Sequence, residues 1–219
     1  MSAANPTAAA QRSRTHRIAV TAMLSAAATV LMFLEFPIPF LIPSFVELDF
    51  SELPALLAAF SLGPASGVVV CLVKNVIKGL LFSGTGGVGE MCNFLLGICF
   101  VIPAGLIYRY KKTRSGALLG ALAGAVIMAV CSVPLNYFVS YPVYTKFLPI
   151  DVIISMYQEI IQSFNGLLSR AGAPFSLPSV NGLLGCLIAF NAPFTLLKGL
   201  LDTALCFLIY KPLSPLLHR

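Results

Sequence analysis

The sequence predicts an all-α membrane protein with six transmembrane helices and both termini in the cytoplasm. Its composition is 58% hydrophobic and only 10% charged, and its mean hydropathy is +0.91. Because a soluble domain carries roughly 25% charged residues, these values argue against a soluble enzyme, a nucleic-acid-binding protein and a disordered chain. At ~20 apolar residues per crossing, the 219 residues leave no room for a separate soluble domain.

Prolines, glycines and charged residues divide the apolar sequence into six predicted spans. The first follows Arg14 and Arg17, and we interpret it as a retained helix because the apolar run 18–34 exceeds the usual ~7–15 residues of a signal peptide. The second is short and opens at Ser51, where an acid and a proline follow, as is typical of a helix N-terminus. The predicted spans are residues 17–36, 51–62, 65–82, 90–108, 116–138 and 181–210, the last interrupted at Pro193.

The segments outside the spans are expected to be irregular or amphipathic. Residues 1–15 and 213–219 are predicted to be cytoplasmic tails, the first of them disordered, and 16–212 to be a single six-helix domain. The glycine-rich segment 83–89 predicts a turn. The long connection 139–178 is predicted to hold a weakly amphipathic helix near 151–168.

The distribution of basic residues predicts the orientation of the chain. With the N-terminus inside, nine of the fourteen lysines and arginines lie in the cytoplasm, in the acid-free patches 12–17, 109–114 and 211–219. The segments assigned to the outside hold five acidic residues but only Lys146 and Arg170. This asymmetry follows the positive-inside rule and favours six helices with both termini in the cytoplasm.

Two stripes of small residues predict close helix packing. Glycines repeat every four residues at 116–124 in the fifth span, where we expect packing inside the protein because small side chains let backbones approach closely in lipid. Ala19, Ala22 and Ala26 form a second stripe on the first span. A six-helix protein does not need this stripe for its own packing, so it is the better candidate for docking another membrane protein.

Five ionisable residues lie within the predicted spans, where an unpaired charge is costly. They are Lys74, Lys78, Glu90, Lys198 and Asp202. Lys78 and Glu90 are either pocket groups or interfacial residues beside the glycine-rich turn. Lys198 is either a pocket group or the partner of Asp202, which lies four residues further along the helix.

Motifs for catalysis and for metal binding are missing from the sequence. No Walker motif is present, so the chain is not expected to hydrolyse ATP. No His/carboxylate cluster suggests a metal, and no Ser/His/Asp set suggests hydrolysis. The six cysteines fall in apolar runs without a Cys-x-x-Cys pair, which disfavours a zinc site or a disulfide framework. We therefore expect no catalytic residue, no metal and no cofactor, and an integral-membrane enzyme is disfavoured.

Polar residues gather at the predicted outer ends of the last three spans. Asn93, Asn136 and Asn191 lie there, and Pro193 frees a backbone carbonyl near residue 189 that only a cavity or a protein partner can satisfy. The external loop 36–50 is unusually apolar. An apolar loop over polar groups indicates the wall or lid of a pocket, for a ligand with a flat apolar part and several hydrogen-bonding groups.

Five segments together resemble the riboflavin-binding S components of energy-coupling factor (ECF) transporters. They are ELDFSELPAL at 47–56, AFSLGPASG at 59–67, VKNVI at 73–77, GVGEMCNF at 87–94 and PFTLLKG at 193–199. The resemblance covers about residues 16–212 and implies a six-helix substrate-binding domain in the bacterial cytoplasmic membrane, open to the outside. It implies uptake of riboflavin, or of FMN, with a transmembrane coupling protein and two ATPases as partners.

The resemblance also implies which residues meet the vitamin and the coupling protein. Ala19, Ala22 and Ala26 match the docking positions of the first helix. In the last motif this chain has Thr195 where the family often has asparagine. Asn191 is the alternative residue to supply a side-chain amide to the ligand. The positions implied for substrate binding are Phe45, Asp49, Glu90, Asn93, Asn136, Asn191, Thr195 and Lys198.

Two alternative functions remain open at the level of sequence. The departure at Thr195 leaves open an S component for another vitamin. A stand-alone ion-coupled carrier that uses Glu90, Lys198 and Asp202 is the second alternative. The two halves of the chain have no recognisable inverted repeat, which disfavours a symmetric secondary transporter.

Overall fold

The computed structural model of the chain is built almost entirely of helices. It describes residues 6–172, 176–180 and 182–217. The helices are α1 (Pro6–Phe33), α2 (Glu52–Ser61), α3 (Pro64–Phe82), α4 (Val88–Tyr110), α5 (Arg114–Leu135), α6 (Tyr141–Tyr144), α7 (Ile150–Arg170), α8 (Leu183–Cys186) and α9 (Ala192–Leu217). Two short strands, β1 (Phe36–Pro37) and β2 (Glu47–Leu48), form an antiparallel ribbon in the connection between α1 and α2.

In the part of the chain that the structure describes, five helical stretches are long and apolar enough to cross a membrane, which confirms the predicted all-α membrane class. They are Arg14–Phe33, Pro64–Phe82, Val88–Tyr110, Arg114–Tyr144 and Leu183–Tyr210. The second predicted span appears as α2, which has only ten residues. At 1.5 Å per residue, α2 extends about half the ~30 Å thickness of the hydrocarbon core. Almost every residue of α2 is buried, because neighbouring helices surround it on all sides.

Both predicted tails are partly helical in the structure. Residues 1–5 and 218–219 lie outside the described residues, and α1 begins at Pro6, so that it includes residues 6–15. This segment is rich in alanine, the strongest helix former. At the other end α9 continues to Leu217, into the predicted tail. Extending a helix that is already nucleated costs little, so composition alone misplaces these two boundaries. The predicted start of the sixth span, Asn181, also lies outside the described residues.

The predicted glycine repeat packs α5 directly against α4. A Cβ atom added at Gly124 would lie 2.4 Å from the carbonyl oxygen of Phe100, and one at Gly120 would lie 2.7 Å from that of Ala104. No side chain fits into these spaces, so the two backbones are in contact. The expectation that this repeat serves packing inside the protein is confirmed.

Gly124→Ala is expected to destabilise the folded protein by about 1–3 kcal/mol, because the added methyl group forces α4 and α5 apart. The measurement is thermal unfolding of the purified protein in detergent. Gly166→Ala is the matched control, since Gly166 lies in α7 with no atom within 4 Å of an added Cβ. The control should unfold at the same temperature as the original chain or a higher one. A Gly124 variant as stable as the control would contradict the close α4–α5 contact.

Two π-helical turns interrupt the long helices at equivalent places. The first is Asn136–Ser140, after α5, and the second is Leu187–Asn191, before α9. In each case a proline, Pro142 or Pro193, is the second residue after the turn. A proline has no N–H to donate and its ring clashes with the carbonyl four residues earlier, and π turns occur where the helical ladder is widened in this way, often at functional sites.

Helix α7 is amphipathic, which confirms the helix predicted near 151–168. Its buried residues Ile153, Tyr157, Ile160 and Ile161 recur at helical spacing and form one apolar face. Ile153 and Tyr157 of this face belong to a hydrophobic cluster that also contains Ile42 of the β1–β2 connection. The cluster thus holds the apolar loop and α7 together beside the ends of α5 and α9.

Candidate ligand-binding site

A cavity of about 410 Å³ lies where the loop between β1 and β2 meets the ends of the long helices. All eight residues that the family resemblance implies for substrate binding line this one cavity: Phe45, Asp49, Glu90, Asn93, Asn136, Asn191, Thr195 and Lys198. They come from the loop, α4, the two π turns and α9. The structure thus brings together residues that are up to 153 positions apart in the sequence, which runs from Phe45 to Lys198.

Aromatic rings form an apolar wall on one side of the cavity. The ring of Phe45 lies edge-on to those of Tyr141 and Tyr144, with centroid distances of 6.1 and 5.8 Å. Phe194 also lines the cavity. The edge-on arrangement is the favourable geometry for aromatic pairs, and it fixes Phe45 of the loop against the helices. A flat apolar ligand would find complementary surface here.

A chain of buried polar contacts ties the loop to three helices. Lys198 in α9 donates to Asp49 of the loop at 2.8 Å. Asp49 also accepts hydrogen bonds from the backbone N–H and the hydroxyl of Ser51. The Ser51 hydroxyl in turn accepts from Lys74 of α3 at 2.5 Å, and Lys74 pairs with Glu52 of α2 at 2.6 Å. Each charge in the chain therefore has an opposite charge or a hydroxyl beside it.

The carboxylate of Asp49 is held in its ionised form. Burial alone raises its pKa, but the ammonium groups of Lys198 and Lys74 and the hydrogen bonds from Lys198 and Ser51 outweigh burial and lower the pKa well below the ordinary 3.8. The Asp49–Lys198 ion pair is consequently present throughout the physiological pH range. It links the part of the cavity wall in the loop to the part in α9.

The alternative pairing of Lys198 with Asp202 is wrong. Lys198 turns towards the loop and pairs with Asp49, while both carboxylate oxygens of Asp202 are buried without a hydrogen-bond partner among the described residues. Burial of a polar group without such a partner is unfavourable. Asp202 does not line the cavity.

Glu90 and Lys78 lie at the cavity wall beside the glycine-rich turn. Glu90 is 7% exposed and accepts hydrogen bonds from the hydroxyls of Ser83 and Thr85, at 3.0 and 3.1 Å. Lys78 pairs with Glu35, which follows α1. The predicted turn is present, with positive φ angles of 64° and 88° at Gly86 and Gly87. Both residues therefore line the cavity, with Glu90 buried and Lys78 only partly buried.

A buried triad of polar groups supports the second π turn. The hydroxyl of Tyr157, in α7, donates to the amide oxygen of Asn191 at 2.6 Å and lies 2.5 Å from the hydroxyl of Tyr141. The amide nitrogen of Asn191 donates to Tyr141 at 3.4 Å. The protein thus uses one lone pair of the amide oxygen of Asn191 and one N–H of its amide nitrogen. The second N–H can donate to a ligand.

Sequence reasoning missed several residues at the cavity. Tyr141 and Tyr144 lie in the long connection, where no motif singled them out. The available signal was the proline pair: Pro142 and Pro193 each lie two residues after a polar residue that lines the cavity, Ser140 and Asn191 respectively. Tyr157 acts from outside the cavity wall, and only the three-dimensional contact identifies it. No cluster of three or more His, Cys, Asp or Glu residues that could hold a metal occurs in the described part of the chain.

A second cavity, about 680 Å³ in volume, lies on the surface that α1 and α3 form together. Ala22 and Ala26 line it together with Ser66 and Val69 of α3. Ala19, Ala22 and Ala26 are all exposed, in contrast to the buried Ala28 on the opposite side of α1. The predicted alanine stripe is therefore an unpartnered surface of the chain.

Matches to known proteins cover nearly the whole chain and agree on one family. The family model described as "ECF transporter, substrate-specific component" matches residues 16–210. Riboflavin transporter RibU of Staphylococcus aureus (strain TCH60) is 34% identical over 204 residues, which are 93% of this chain and 93% of that protein. Riboflavin transporter FmnP of Bacillus subtilis (strain 168) is 29% identical over 205 residues, 93% of this chain and 94% of that protein.

A solved structure of the S component of a bacterial ECF transporter has the same fold. It aligns with a TM-score of 0.68 and 32% identity, and the alignment covers 94% of this chain and 99% of that one. The likeness therefore extends over the bundle, the loop and the connection that carries α7. These relatives are transporter subunits and not enzymes. The chain belongs to the substrate-specific components of ECF transporters.

Proposed function

We propose that this chain binds riboflavin from outside the cell and mediates its uptake as the substrate-binding subunit of an ECF transporter. The observation that carries the proposal is the convergence of eight separately encoded residues on one cavity of about 410 Å³. This volume lies within the ~300–1,000 Å³ range of small-molecule sites. The curated relatives named above are riboflavin transporters, which supports the same ligand.

The cavity offers complementary groups to both parts of a flavin. The isoalloxazine ring would lie against the aromatic wall formed by Phe45 and Phe194. Lys198 and Asn136 would donate hydrogen bonds to ring carbonyls, and Glu90 would accept them from ribityl hydroxyls. Buried polar groups of this kind reject ligands that lack matching partners, because the unmatched groups remain unpaired. Riboflavin acts here as the transported ligand, and no separate cofactor is needed.

The proposed topology has six membrane-embedded helices, with α2 as the short sixth member, and both termini in the cytoplasm. Basic residues support it: Arg109 lies in the last turn of α4, while Glu90 of the cavity lies in the first turn of the same helix. Because these two residues are 19 positions apart in α4, they are separated by about 28 Å at 1.5 Å per residue. With the basic end inside, the cavity faces outward, and the chain lies in the bacterial cytoplasmic membrane.

The proposed partners are a transmembrane coupling protein and two ATPase subunits. The sequence has no Walker motif of its own, so ATP-driven transport by this chain requires ATPase partners. The exposed stripe Ala19, Ala22 and Ala26 beside the α1–α3 cavity provides a surface where small residues allow helices of a partner to approach closely. Transport would follow when the ATPases reorient the subunit through this contact.

Ala22→Trp is expected to abolish ATP-dependent uptake while riboflavin binding to the purified variant is retained. The indole would fill the α1–α3 cavity that the coupling protein needs, and the ligand cavity lies elsewhere on the molecule. Ala27→Trp is the matched control, since Ala27 is exposed on α1 but does not line the α1–α3 cavity. Uptake assays in cells should separate the two variants. Equal transport by both would remove this stripe from the partner contact.

Tyr157→Phe is expected to weaken riboflavin binding by about threefold to tenfold, corresponding to the ~0.5–1.5 kcal/mol of one hydrogen bond. The substitution removes the hydroxyl that fixes Asn191. Tyr137→Phe removes a hydroxyl of a residue that does not line the cavity and serves as the control. Isothermal titration of both variants with riboflavin gives the comparison. Unchanged affinity in Tyr157→Phe would show that the triad does not position the site.

Reconstitution tests the proposed transport and its main alternative together. Proteoliposomes that contain this chain with its coupling protein and ATPases should take up riboflavin on addition of ATP. Proteoliposomes that contain this chain alone should not do so under an ion or proton gradient. Gradient-driven uptake by the chain alone would favour the stand-alone carrier. Binding of a different vitamin in place of riboflavin would favour an S component of other specificity.

A further inference from the structure

The wall of the ligand cavity is acidic. Its described residues include four carboxylates, Glu35, Glu47, Asp49 and Glu90, but only two ammonium groups, Lys78 and Lys198. Both ammonium groups are already paired with carboxylates, Lys78 with Glu35 and Lys198 with Asp49. Two of the four carboxylates therefore have no cation of their own at the cavity wall.

These two remaining carboxylates differ in their surroundings. Glu90 is buried, and its hydrogen-bond donors among the described residues are the neutral hydroxyls of Ser83 and Thr85. Glu47 lies on the exposed rim, on the strand that pairs with the segment following Glu35. Partial burial, a hydrogen bond with Glu35 and repulsion from the same carboxylate raise the pKa of Glu47. The rim thus carries two adjacent acids that share one lysine.

The groups that usually bind phosphate already have partners within the protein in this cavity, and both lysines of its wall are paired with carboxylates. Proteins bind phosphate with free arginine or lysine side chains or with the N–H groups at a helix N-terminus. The turn before α4 offers such N–H groups, but Gly87 donates to the Ser83 hydroxyl at 2.7 Å and Gly89 donates to the Thr85 hydroxyl at 3.0 Å. Glu90 in the first turn places a negative charge at the same position.

We infer that this carboxylate wall makes the cavity select the uncharged flavin, riboflavin, over its 5′-phosphate ester, FMN. The inference rests on the proposed function, because it concerns the same site. A phosphate of charge about −1.5 to −2 at neutral pH is repelled by a wall that holds four carboxylates and two ammonium groups among its described residues. Glu35, Glu47 and Lys78 at the rim set the size of this penalty and act as specificity-determining residues.

A series of charge variants at the rim tests this inference. The measured quantity is the ratio of the Kd for FMN to the Kd for riboflavin, determined by fluorescence titration at pH 8 and low ionic strength. Each variant replaces one charged side chain at the rim by neutral glutamine, which has nearly the same shape as glutamate. Lys78→Gln makes the rim more acidic, Glu47→Gln makes it less acidic, and Glu35→Gln both removes a carboxylate and frees Lys78.

The ratio is expected to exceed about tenfold in the original chain and to change about threefold to tenfold for each rim charge, as for charges separated by several ångströms near a protein surface. It should rise in Lys78→Gln, fall in Glu47→Gln and fall further in Glu35→Gln. Glu159→Gln is the control: it makes the same charge change on an exposed face of α7 away from the cavity, and the ratio should stay the same. Raising the salt concentration should lower the ratio of the original chain.

Three results would overturn the inference. Equal affinity of the original chain for FMN and riboflavin would do so, and so would a ratio that ignores both the charge series and the salt concentration. In both cases riboflavin still binds, so the proposed function stands. Failure of the original chain to bind riboflavin at all would overturn the proposed function and this inference together. The salt titration uses only the original chain, so the test holds even if a variant does not fold.

Discussion

Lys198→Ala is expected to weaken riboflavin binding at least about tenfold. The ammonium group lines the cavity, its side chain is 12% exposed, and its partner Asp49 leaves donor hydrogens free for a ligand. Losing a hydrogen bond to a charged group costs ~1.5–3 kcal/mol, and about 1.4 kcal/mol corresponds to a factor of ten in Kd. The substitution also removes the ion pair that holds the loop over α9. Binding of riboflavin to the purified variant is the measurement.

The double variant Lys198→Ala/Asp49→Asn separates the two contributions of Lys198. Asparagine keeps the shape of Asp49 and an oxygen for Ser51 but leaves no buried charge without a partner. If Lys198 acts mainly through the ligand, the double variant should bind riboflavin as weakly as the single one. If it acts mainly by holding the loop, affinity should partly recover. A single variant with the affinity of the original chain would remove Lys198 from the site.

Lys74→Met is expected to destabilise the folded protein by about 3–5 kcal/mol, the usual consequence of removing one member of a buried ion pair. Lys74 and Glu52 are 0% and 1% exposed, and their charged atoms lie 2.6 Å apart. The remaining Glu52 carboxylate would be buried with only the weak Cys71 thiol donor, at 3.5 Å. Thermal unfolding in detergent, followed by size-exclusion chromatography, measures the loss.

Lys74→Met/Glu52→Leu is the matched double variant for this pair. Replacing both members of a buried ion pair by apolar residues of similar volume is often neutral, so most of the lost stability should return. Riboflavin affinity in the double variant then reports whether the pair also orients Ser51 and Asp49 for the cavity. A Lys74→Met protein as stable as the original chain would contradict a dry, tightly coupled pair.

The helices were largely predictable from sequence because a helix that crosses the bilayer needs about 20 consecutive, predominantly apolar residues. Five of the six predicted spans correspond to long apolar helices, and prolines and glycines between them mark the connections. Boundaries were less predictable, as in α1, where residues 6–15 extend the helix. The short α2 was predicted as a helix from its N-terminal signal, but its nearly complete burial depends on neighbours that are distant in the sequence.

The candidate site was predictable mainly through family resemblance. That resemblance supplied eight residues, and the structure brings all of them to one cavity. The ion pairs were not predictable, since Lys198 and Asp49 are 149 residues apart and helical spacing instead suggested Asp202. The triad of Tyr141, Tyr157 and Asn191 likewise joins the connection, α7 and a π turn. Such pairings arise from helix packing, which hydrophobic periodicity does not encode.

Equilibrium binding of tritiated riboflavin to the purified chain tests the central claim most directly. The account predicts saturable binding to one site, displaced by unlabelled riboflavin but not by thiamine or biotin. Partner subunits are not required for this measurement, because every residue of the candidate site belongs to this chain. The absence of saturable binding at micromolar riboflavin would contradict the account.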